Sequence, residues 1–253
     1  MNTGPLVGNN RVIDCRAATK SYASKPVLQG IDLVVEPGIC ALLGANGVGK
    51  STLLRLLSGL EEPDSGSVFI GGLSFRDHGV RIRNLGVLPE GLGLFESLTV
   101  IENLMAVGPI YGLTMSETAA RAADLLGLLD LTQGRHTVAR NCSFGMRKKT
   151  ALAMALLHKP RFVLLDEPFE GIDPASSAAI QMLFSQLSRN GVTILLTSHI
   201  LSVVQKLATR VVILYEGRVV SDFNPSPTEA GVEEVYFSIA GKAQPELPDW
   251  LRF

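Results

Sequence analysis

The chain has 253 residues, a net charge of -1, 46% hydrophobic residues and 19% charged residues. This composition excludes a disordered chain and is typical of a globular protein. The near-zero net charge argues against general nucleic-acid binding, because that function usually needs a basic excess. The three cysteines have neither metal-ligand spacing nor a pairing pattern, so we expect reduced thiols in a cytoplasmic protein.

The sequence predicts neither a membrane span nor a signal peptide. No apolar run approaches the roughly 18 residues that a membrane span needs. The first residues lack the charged and apolar regions of a signal peptide. We therefore expect any role at a membrane to depend on a separate membrane chain.

The first elements are predicted to be two antiparallel strands, Arg11 to Arg16 and Leu28 to Val35. The segment between them, Ser21 to Pro26, is rich in turn residues and carries one aromatic side chain, Tyr22. A tyrosine here can pack against its own strand or stack on a flat ring such as adenine. Local sequence alone favours packing.

A glycine-rich loop follows the short apolar run Ile39 to Leu43. The residues Gly44 to Ser51 match the pattern G-x-x-x-x-G-K-[ST], and strong helix formers continue to Gly59. Backbone N–H groups in such a loop cradle phosphate oxygens at a helix N-terminus. Lys50 is expected to reach the β- and γ-phosphates, and the Ser51 hydroxyl to bind Mg²⁺. The candidate nucleotide contacts in this loop are Gly44, Asn46, Gly47, Gly49, Lys50, Ser51 and Thr52.

The middle of the chain changes from strand to helix patterns. Short strands are predicted at Val68 to Ile70 and Leu85 to Leu88, and the second ends in the loop from Pro89 to Gly93. From Thr99 to Leu131, helix formers dominate and apolar residues recur at helical spacing. We interpret residues 95–160 as a helical insertion between two parts of a nucleotide-binding sheet.

Two apolar strands are predicted to deliver polar residues to one edge of that sheet. Arg161 to Leu165 ends in Asp166 and Glu167, and Val192 to Leu196 leads to His199. Fully apolar strands indicate a parallel sheet covered on both faces, where ligands bind beyond the carboxyl ends of the strands. Asp166 is therefore a candidate Mg²⁺ ligand. The alternative is that two acids merely end a strand.

Two further helices are predicted from their start signals. Asp173 and Pro174 are typical of an N-cap and a first turn, and that helix ends near Asn190. Ser143 is a good N-cap ahead of a helix predicted at Thr150 to Leu157. The three cations between them, Arg147 to Lys149, crowd a helix start, where the dipole prefers acids. They indicate either a nearby anion or acidic partner, or ordinary surface basicity.

Taken together, these motifs resemble the ATP-binding cassette (ABC) ATPases, the nucleotide-binding subunits of ABC transporters, over about residues 11–220. Gly44 to Ser51 resembles the Walker A loop, and Val163 to Glu167 resembles the Walker B strand with its catalytic glutamate. Cys142 to Met146 resembles the family signature, usually L-S-G-G-Q. The remaining matches are Gly171-Ile172-Asp173 with the D-loop, His199 with the switch histidine, and Tyr22 with the adenine-stacking aromatic.

The resemblance implies an α/β P-loop fold with a mixed sheet core, an antiparallel β subdomain and a helical subdomain. This ATPase domain would span 11–220, and 221–253 would form a C-terminal extension. The resemblance also implies ATP hydrolysis with Mg²⁺. The implied roles are catalysis for Glu167, His199 and Lys50, metal binding for Ser51 and Asp166, and communication across a dimer for Asp173.

The same resemblance implies partners. Ser143 and Gly145 are expected to contact ATP bound by an opposing subunit, either a second copy of the chain or a related ATPase. A separate transmembrane permease subunit is expected, which would hold the chain on the cytoplasmic face of the cell membrane. We expect that subunit to dock in a groove lined by Glu90 to Phe95 and Leu98 to Leu104. No nucleic-acid partner is expected.

Several positions depart from the family pattern. Glu90 stands where Gln is usual, which makes it a tentative metal ligand. Phe144 and Met146 replace a glycine and the glutamine of the signature, and Phe169 replaces the commoner Thr or Ser. The Ser-x-Gly-Met-Arg form and the stretch Val232 to Tyr236 resemble exporters of the antibiotic, lipid and polysaccharide branch. The alternative is a soluble ABC ATPase without a transport role, such as one serving iron–sulfur cluster assembly.

Overall fold

A computed structural model describes residues 12–74, 83–225 and 231–241. These residues form one six-stranded and one four-stranded sheet, with helices packed around them. The strands are β1 Ile13–Tyr22, β2 Lys25–Val35, β3 Gly38–Leu43, β4 Ser65–Ile70, β5 Leu73–Ser74, β6 Leu85–Leu88, β7 Phe162–Leu165, β8 Thr193–Thr197, β9 Arg210–Tyr215 and β10 Arg218–Phe223. The α-helices are α1 Lys50–Ser58, α2 Val100–Val107, α3 Met115–Leu128, α4 Phe144–Leu156, α5 Pro174–Arg189, α6 Leu201–Leu207 and α7 Val232–Ala240.

The six-stranded sheet has the order β10-β9-β3-β8-β7-β6. Its strands are parallel except for β10, which pairs antiparallel with β9. Every residue of β7 and β8 is buried, as the apolar residues of both strands predict for a sheet covered on both faces. The carboxyl ends of β3, β7 and β8 therefore meet at one edge.

Alternate side chains of this sheet enter two separate cores. On β3, Ile39, Ala41 and Leu43 belong to the same core as buried residues of α2, α3 and α4. Cys40 and Leu42 point the other way, toward α1 and the four-stranded sheet. This alternation is the period of two expected for a strand, so the sheet lies between a helical layer and an antiparallel β layer. The predicted fold class is confirmed.

The four-stranded antiparallel sheet has the order β2-β1-β4-β5. Its first hairpin is tighter than predicted, because β1 and β2 continue to Tyr22 and Lys25 instead of leaving a loop from Ser21 to Pro26. Ala23 and Ser24 alone make the turn, with φ angles of 48° and 67°. Two consecutive left-handed residues suit the right-handed twist of a hairpin. Arg11, the predicted first strand residue, lies outside the described residues.

The helical layer lies between β6 and β7. The long helical pattern predicted from Thr99 to Leu131 is broken, since α2 passes into a short 3₁₀ turn and Gly112 adopts a φ of 81°. Helices α2 and α3 each begin with a capping box, formed by Thr99 and Glu102 in α2 and by Thr114 and Glu117 in α3.

Helix α4 begins at Phe144, so the predicted start at Thr150 is wrong. Ser143 is the N-cap, and its Oγ accepts a hydrogen bond from the Met146 N–H at 3.2 Å. The signature residues therefore form the first turn of the helix. The predicted domain bounds remain a prediction: β10 runs to Phe223, and residues 226–230 and 242–253 lie outside the described part of the chain.

Candidate nucleotide-binding site

A cleft of about 880 Å³ opens beside the carboxyl ends of β3, β7 and β8. Most of the predicted site residues line it: Tyr22, Asn46, Gly47, Gly49, Lys50, Ser51, Thr52, Glu90, Asp166, Glu167 and His199. Four residues that are not among the predicted site residues also line it, namely Val27, Arg55, Lys148 and Glu170. The predicted residues that do not line it are Gly44, Ser143, Gly145 and Asp173.

The phosphate loop is built so that its backbone lies close to its neighbours. Gly49, with a φ of 112°, leads directly into α1. A Cβ at this position would lie 2.8 Å from the Leu28 side chain and 3.1 Å from the Val27 carbonyl oxygen. Only glycine therefore fits without moving β2.

Lys50 folds back over this loop. Its Nζ donates to the carbonyl oxygens of Gly44 at 2.7 Å and Ala45 at 3.2 Å. Burial lowers the pKa of the Lys50 ammonium below its usual value, and the carboxylates of Glu167 and Asp166 oppose that effect. Loop carbonyls thus hold the ammonium at the cleft wall, where an anionic phosphate would compensate its burial.

The two acids after β7 are tied to β8 by one hydroxyl. Thr197 Oγ1 donates to Asp166 Oδ1 at 2.7 Å and accepts from the Glu167 N–H at 2.8 Å. Leu165 pairs with Leu196 in the parallel ladder, so the next residues, Asp166 and Thr197, lie side by side. Thr197 is not among the predicted site residues. The available signal was a polar residue ending an apolar strand beside the acidic pair.

Glu167 and His199 form the second close pair. His199 Nδ1 lies 2.9 Å from Glu167 Oε2, and the His199 N–H donates to the same oxygen at 3.2 Å. Glu167 has a φ of 47°, which is uncommon for a residue with a side chain. This backbone turn directs the carboxylate toward β8 and the cleft.

Tyr22 is half exposed at the cleft wall. Its hydroxyl donates to Glu61 Oε2, and Arg55 Nη2 lies 3.4 Å from the same hydroxyl. The hydrogen bond to Tyr22 is the main cause that raises the pKa of Arg55. The polar end of the ring is thus fixed while the ring itself borders the cleft.

The signature residues and Asp173 lie together at a different surface. The Phe144 ring covers Gly171, where an added Cβ would lie 2.3 Å from Phe144 Cδ1. Asp173 caps α5, with Oδ1 accepting from the Ser176 N–H at 2.9 Å. That hydrogen bond lowers the pKa of Asp173.

The cations at the start of α4 have partners within the chain, as one of the two sequence interpretations proposed. Arg147 pairs with Glu96, and Lys148 Nζ lies 3.3 Å from Glu170 Oε2. Lys149 Nζ lies 3.3 Å from Ser176 Oγ. These contacts offset the unfavourable helix dipole at this end.

The oxygen donors of the cleft fit Mg²⁺. No group of three or more His, Cys, Asp or Glu side chains that could hold a metal occurs within residues 12–74, 83–225 and 231–241. Mg²⁺ does not need such a cage, because it keeps several waters and binds through one or two protein oxygens and substrate phosphates. Ser51 and Asp166 are hard oxygen donors that line one cleft, and exposed Glu90 lines it too.

A smaller, mostly apolar groove of about 360 Å³ lies between the helical layer and the sheet. The predicted loop from Glu90 to Phe95 contributes Leu92 and Gly93 to it. None of the residues Leu98 to Leu104 lines this groove, and Val100 and Leu104 are buried in the core, so their place in a docking surface stays a prediction. Other residues that line it include Leu60, Val107, Tyr111 and Met154. Among the helices in the described part of the chain, none is long and apolar enough to cross a bilayer.

Fold and site define a P-loop nucleotide-binding protein, and comparison with known proteins identifies the family. The ABC transporter family model matches residues 28–170. The chain is 36% identical over 204 residues to the linearmycin resistance ATP-binding protein LnrL of Bacillus subtilis, covering 80% of this chain and 66% of that relative. It is 33% identical to the methionine import ATP-binding protein MetN of Mesorhizobium japonicum, covering 94% and 67%. It is 34% identical to the Nod factor export ATP-binding protein I of Cupriavidus metallidurans, covering 89% and 77%.

Solved structures of ABC ATPases share the fold of this chain. The ATP-binding subunit of an ABC transporter superposes with a TM-score of 0.84 at 30% identity, covering 90% of this chain and 99% of that one. A dimeric post-hydrolysis cassette, MJ0796 bound to ADP and Pi, shares the fold with a TM-score of 0.79 at 23% identity, covering 85% and 99%. The chain therefore belongs to the ABC transporter family. It is an ATP-binding subunit of that family and an ATPase.

Proposed function

We propose that this ATPase works as a pair of cassettes that close on two ATP molecules and drive a separate transmembrane subunit. The observation that carries the proposal is the separation of its motifs. Lys50, Asp166 and Glu167 line one cleft, whereas Ser143 and Gly145 lie outside it at the start of α4. A second cassette, arranged head to tail, would bring its own α4 to that cleft.

Within one cleft, the residues of the phosphate loop bind ATP, and Glu167 promotes its hydrolysis. The loop N–H groups and the Lys50 ammonium hold the β- and γ-phosphates, and the Tyr22 ring stacks on the base. Bound Mg²⁺, held by Ser51 and Asp166, would neutralise phosphate charge. Thr197 fixes Asp166 through the 2.7 Å hydrogen bond and so keeps its carboxylate aimed at the cleft.

Glu167 orients the attacking water and accepts its proton on the carboxylate. The His199 imidazole, which lies beside Glu167 Oε2, is placed to contact the γ-phosphate once that phosphate fills the cleft. Positioning and charge stabilisation supply most of the rate in phosphoryl transfer. Differential affinity of the closed pair for ATP over ADP would then drive the partner.

The groove beside Leu92 is the proposed docking site for the transmembrane subunit. It is mostly apolar and is lined by exposed Leu60, and exposed Phe95 is the last residue of the loop that contributes Leu92 and Gly93 to it. This docking would place the chain on the cytoplasmic face of a membrane. Export is the direction that we propose, because the signature form and the Val232 to Tyr236 stretch resemble exporters. The relatives include both an export and an import protein by name, and none of the three names describes iron–sulfur cluster assembly.

Co-purification with a polytopic membrane protein from detergent-solubilised host membranes tests this function. Phe95→Asp should abolish that co-purification and leave the isolated subunit folded. Folding should survive because the Phe95 backbone, not its ring, is held by buried Asn103, whose Oδ1 accepts from the Phe95 N–H at 2.8 Å. Met182→Asp, on the exposed face of α5, is the matched control. Equal recovery of the membrane protein by both variants would contradict docking at this groove.

A further inference from the structure

Lys148 is an almost fully buried cation at the wall of the nucleotide cleft, with 3% of its side chain exposed. A buried ammonium needs hydrogen-bond partners to offset its lost hydration. Its shortest contact is not to an acid: Lys148 Nζ donates to the main-chain carbonyl oxygen of Glu167 at 2.7 Å, with Glu170 Oε2 farther away at 3.3 Å.

This contact completes a clamp on the Glu167 peptide units. On one side, the Glu167 N–H donates to Thr197 Oγ1 at 2.8 Å. On the other side, its carbonyl oxygen accepts from Lys148. Between the two, the backbone holds an uncommon φ of 47°. The direction of the Glu167 carboxylate therefore depends on β8 through Thr197 and on α4 through Lys148.

Phe144, in the first turn of α4, lies against both Lys148 and the segment that follows Glu167. Its ring covers Gly171, the residue after Glu170, and the Lys148 ammonium lies 5.1 Å from the ring centroid. A cation at this distance is attracted by the face of the ring. Ser143, the N-cap of α4, is the residue proposed to meet the ATP of the opposing subunit.

We infer that Lys148 is a positioning residue that couples the Ser143 end of α4 to Glu167 within one subunit. When Ser143 engages the ATP of the opposing subunit, Lys148 transmits that contact to Glu167 and so sets the direction of its carboxylate. That carboxylate acts on the chain's own ATP. The Phe144 ring, packed over Gly171, supports the same coupling. The inference rests on the proposed roles of Glu167 and Ser143.

Lys148→Met tests the inference, because methionine keeps the apolar stem and removes only the ammonium. We expect a kcat about 10- to 100-fold lower, as for a misplaced catalytic group, with ATP affinity within about twofold of the original chain. Lys148→Arg keeps a donating cation and should recover part of that loss. Lys149→Met is the matched control, because Lys149 is a buried neighbour on α4 that contacts Ser176 and Asp130 rather than Glu167. Its kcat should stay within about twofold.

A double-mutant cycle with Phe144→Ala tests the coupling itself. Phe144→Ala should lower kcat by about threefold or more, and the double variant should be no slower than Lys148→Met alone, as for residues in one network. Independent, multiplicative losses would overturn the coupling. An unchanged kcat in Lys148→Met, or a loss confined to ATP affinity, would overturn the positioning role. If Lys148→Met unfolds below the assay temperature, Phe144→Ala alone tests the inference, because Phe144 is half exposed and its loss should leave the fold intact. An unchanged kcat in Phe144→Ala would then overturn the inference.

Glu167→Gln separates this inference from the proposed function. If Glu167→Gln hydrolyses ATP at the original rate, the proposed role of Glu167 fails. If it is inactive while Lys148→Met keeps the original kcat, only the inference about Lys148 fails.

Discussion

His199 and Glu167 share a single oxygen: Glu167 Oε2 accepts from the His199 N–H at 3.2 Å and lies 2.9 Å from His199 Nδ1. The backbone contact fixes where the carboxylate lies relative to β8. The imidazole contact can be exchanged by a side-chain rotation alone, without movement of the strand. The proposed contact of His199 with the γ-phosphate therefore requires rotation of the imidazole side chain only.

Lys50→Ala should weaken ATP binding by about 10- to 100-fold, because it removes charge-assisted hydrogen bonds to the phosphates. Binding of a fluorescent ATP analogue, titrated into the purified chain, measures the change. Lys206→Ala removes an exposed lysine on α6 and serves as the control. Equal affinities for the two variants would contradict the role of Lys50.

Thr197→Val keeps the shape of the side chain and removes its hydroxyl. It leaves Asp166 Oδ1 and the Glu167 N–H without their shared partner, so we expect the free energy of unfolding to fall by about 1–3 kcal/mol. The kcat should fall about tenfold or more, since both acids lose their orientation. Thr197→Ser keeps the hydroxyl and should stay near the original rate. A fully active Thr197→Val would show that the acids are positioned by other groups.

Glu90→Gln tests the departure from the family pattern. A carboxylate attracts Mg²⁺ more strongly than an amide oxygen does, and Glu90 shares the cleft with Asp166 and Glu167. The variant should need a higher Mg²⁺ concentration for half-maximal ATPase rate, with little change in nucleotide affinity. Rates measured against Mg²⁺ concentration, with and without the membrane partner, decide the matter. Superimposed curves for the two forms would make Glu90 a linker residue only.

His158 should make the fold sensitive to acid. Burial lowers its pKa to about 4 from an ordinary 6.5, while a hydrogen bond to the Leu85 carbonyl oxygen opposes that effect. Protonation therefore favours the unfolded chain, so this contribution is complete above about pH 6.5 and is lost as the pH falls toward 4. The slope from one such group is at most about 1.4 kcal/mol per pH unit.

Chemical denaturation between pH 7 and 4 measures that slope. His158→Phe, which preserves the stack on Tyr111 at a centroid distance of 3.7 Å, should flatten it. His136→Gln, at an exposed imidazole, is the control. The assignment to His158 is wrong if the control flattens the curve and His158→Phe does not.

The parts of the site predicted from sequence are those that one short segment encodes. Gly44 to Ser51 carries its own strand, turn and helix start, and Asp166 with Glu167 ends a strand whose apolar run is itself the signal. The partners of Thr197 and Lys148 do not follow from one segment. Their roles depend on the register between β7 and β8 and on the rotation of α4 about its axis.

The start of α4 is a related case: Ser143 is the N-cap, as predicted, but the helix begins at Phe144 and not at Thr150. Three cations lie in its first turns, where the helix dipole makes them unfavourable on local grounds alone. Their partners, Glu96, Glu170 and Ser176, come from distant segments and become neighbours only in the folded chain. The hairpin at Ala23 and Ser24 is similar, because neither residue is typical of a left-handed turn.

The association state of Glu167→Gln tests the central claim most directly. The amide keeps the shape of the side chain but cannot accept a proton, so ATP should bind and stay unhydrolysed. Size-exclusion chromatography with light scattering, run with Mg²⁺ and ATP, should give an ATP-bound dimer for Glu167→Gln and a monomer when ADP replaces ATP. A monomer in both nucleotides, or an ATPase rate equal to that of the original chain, would contradict the account.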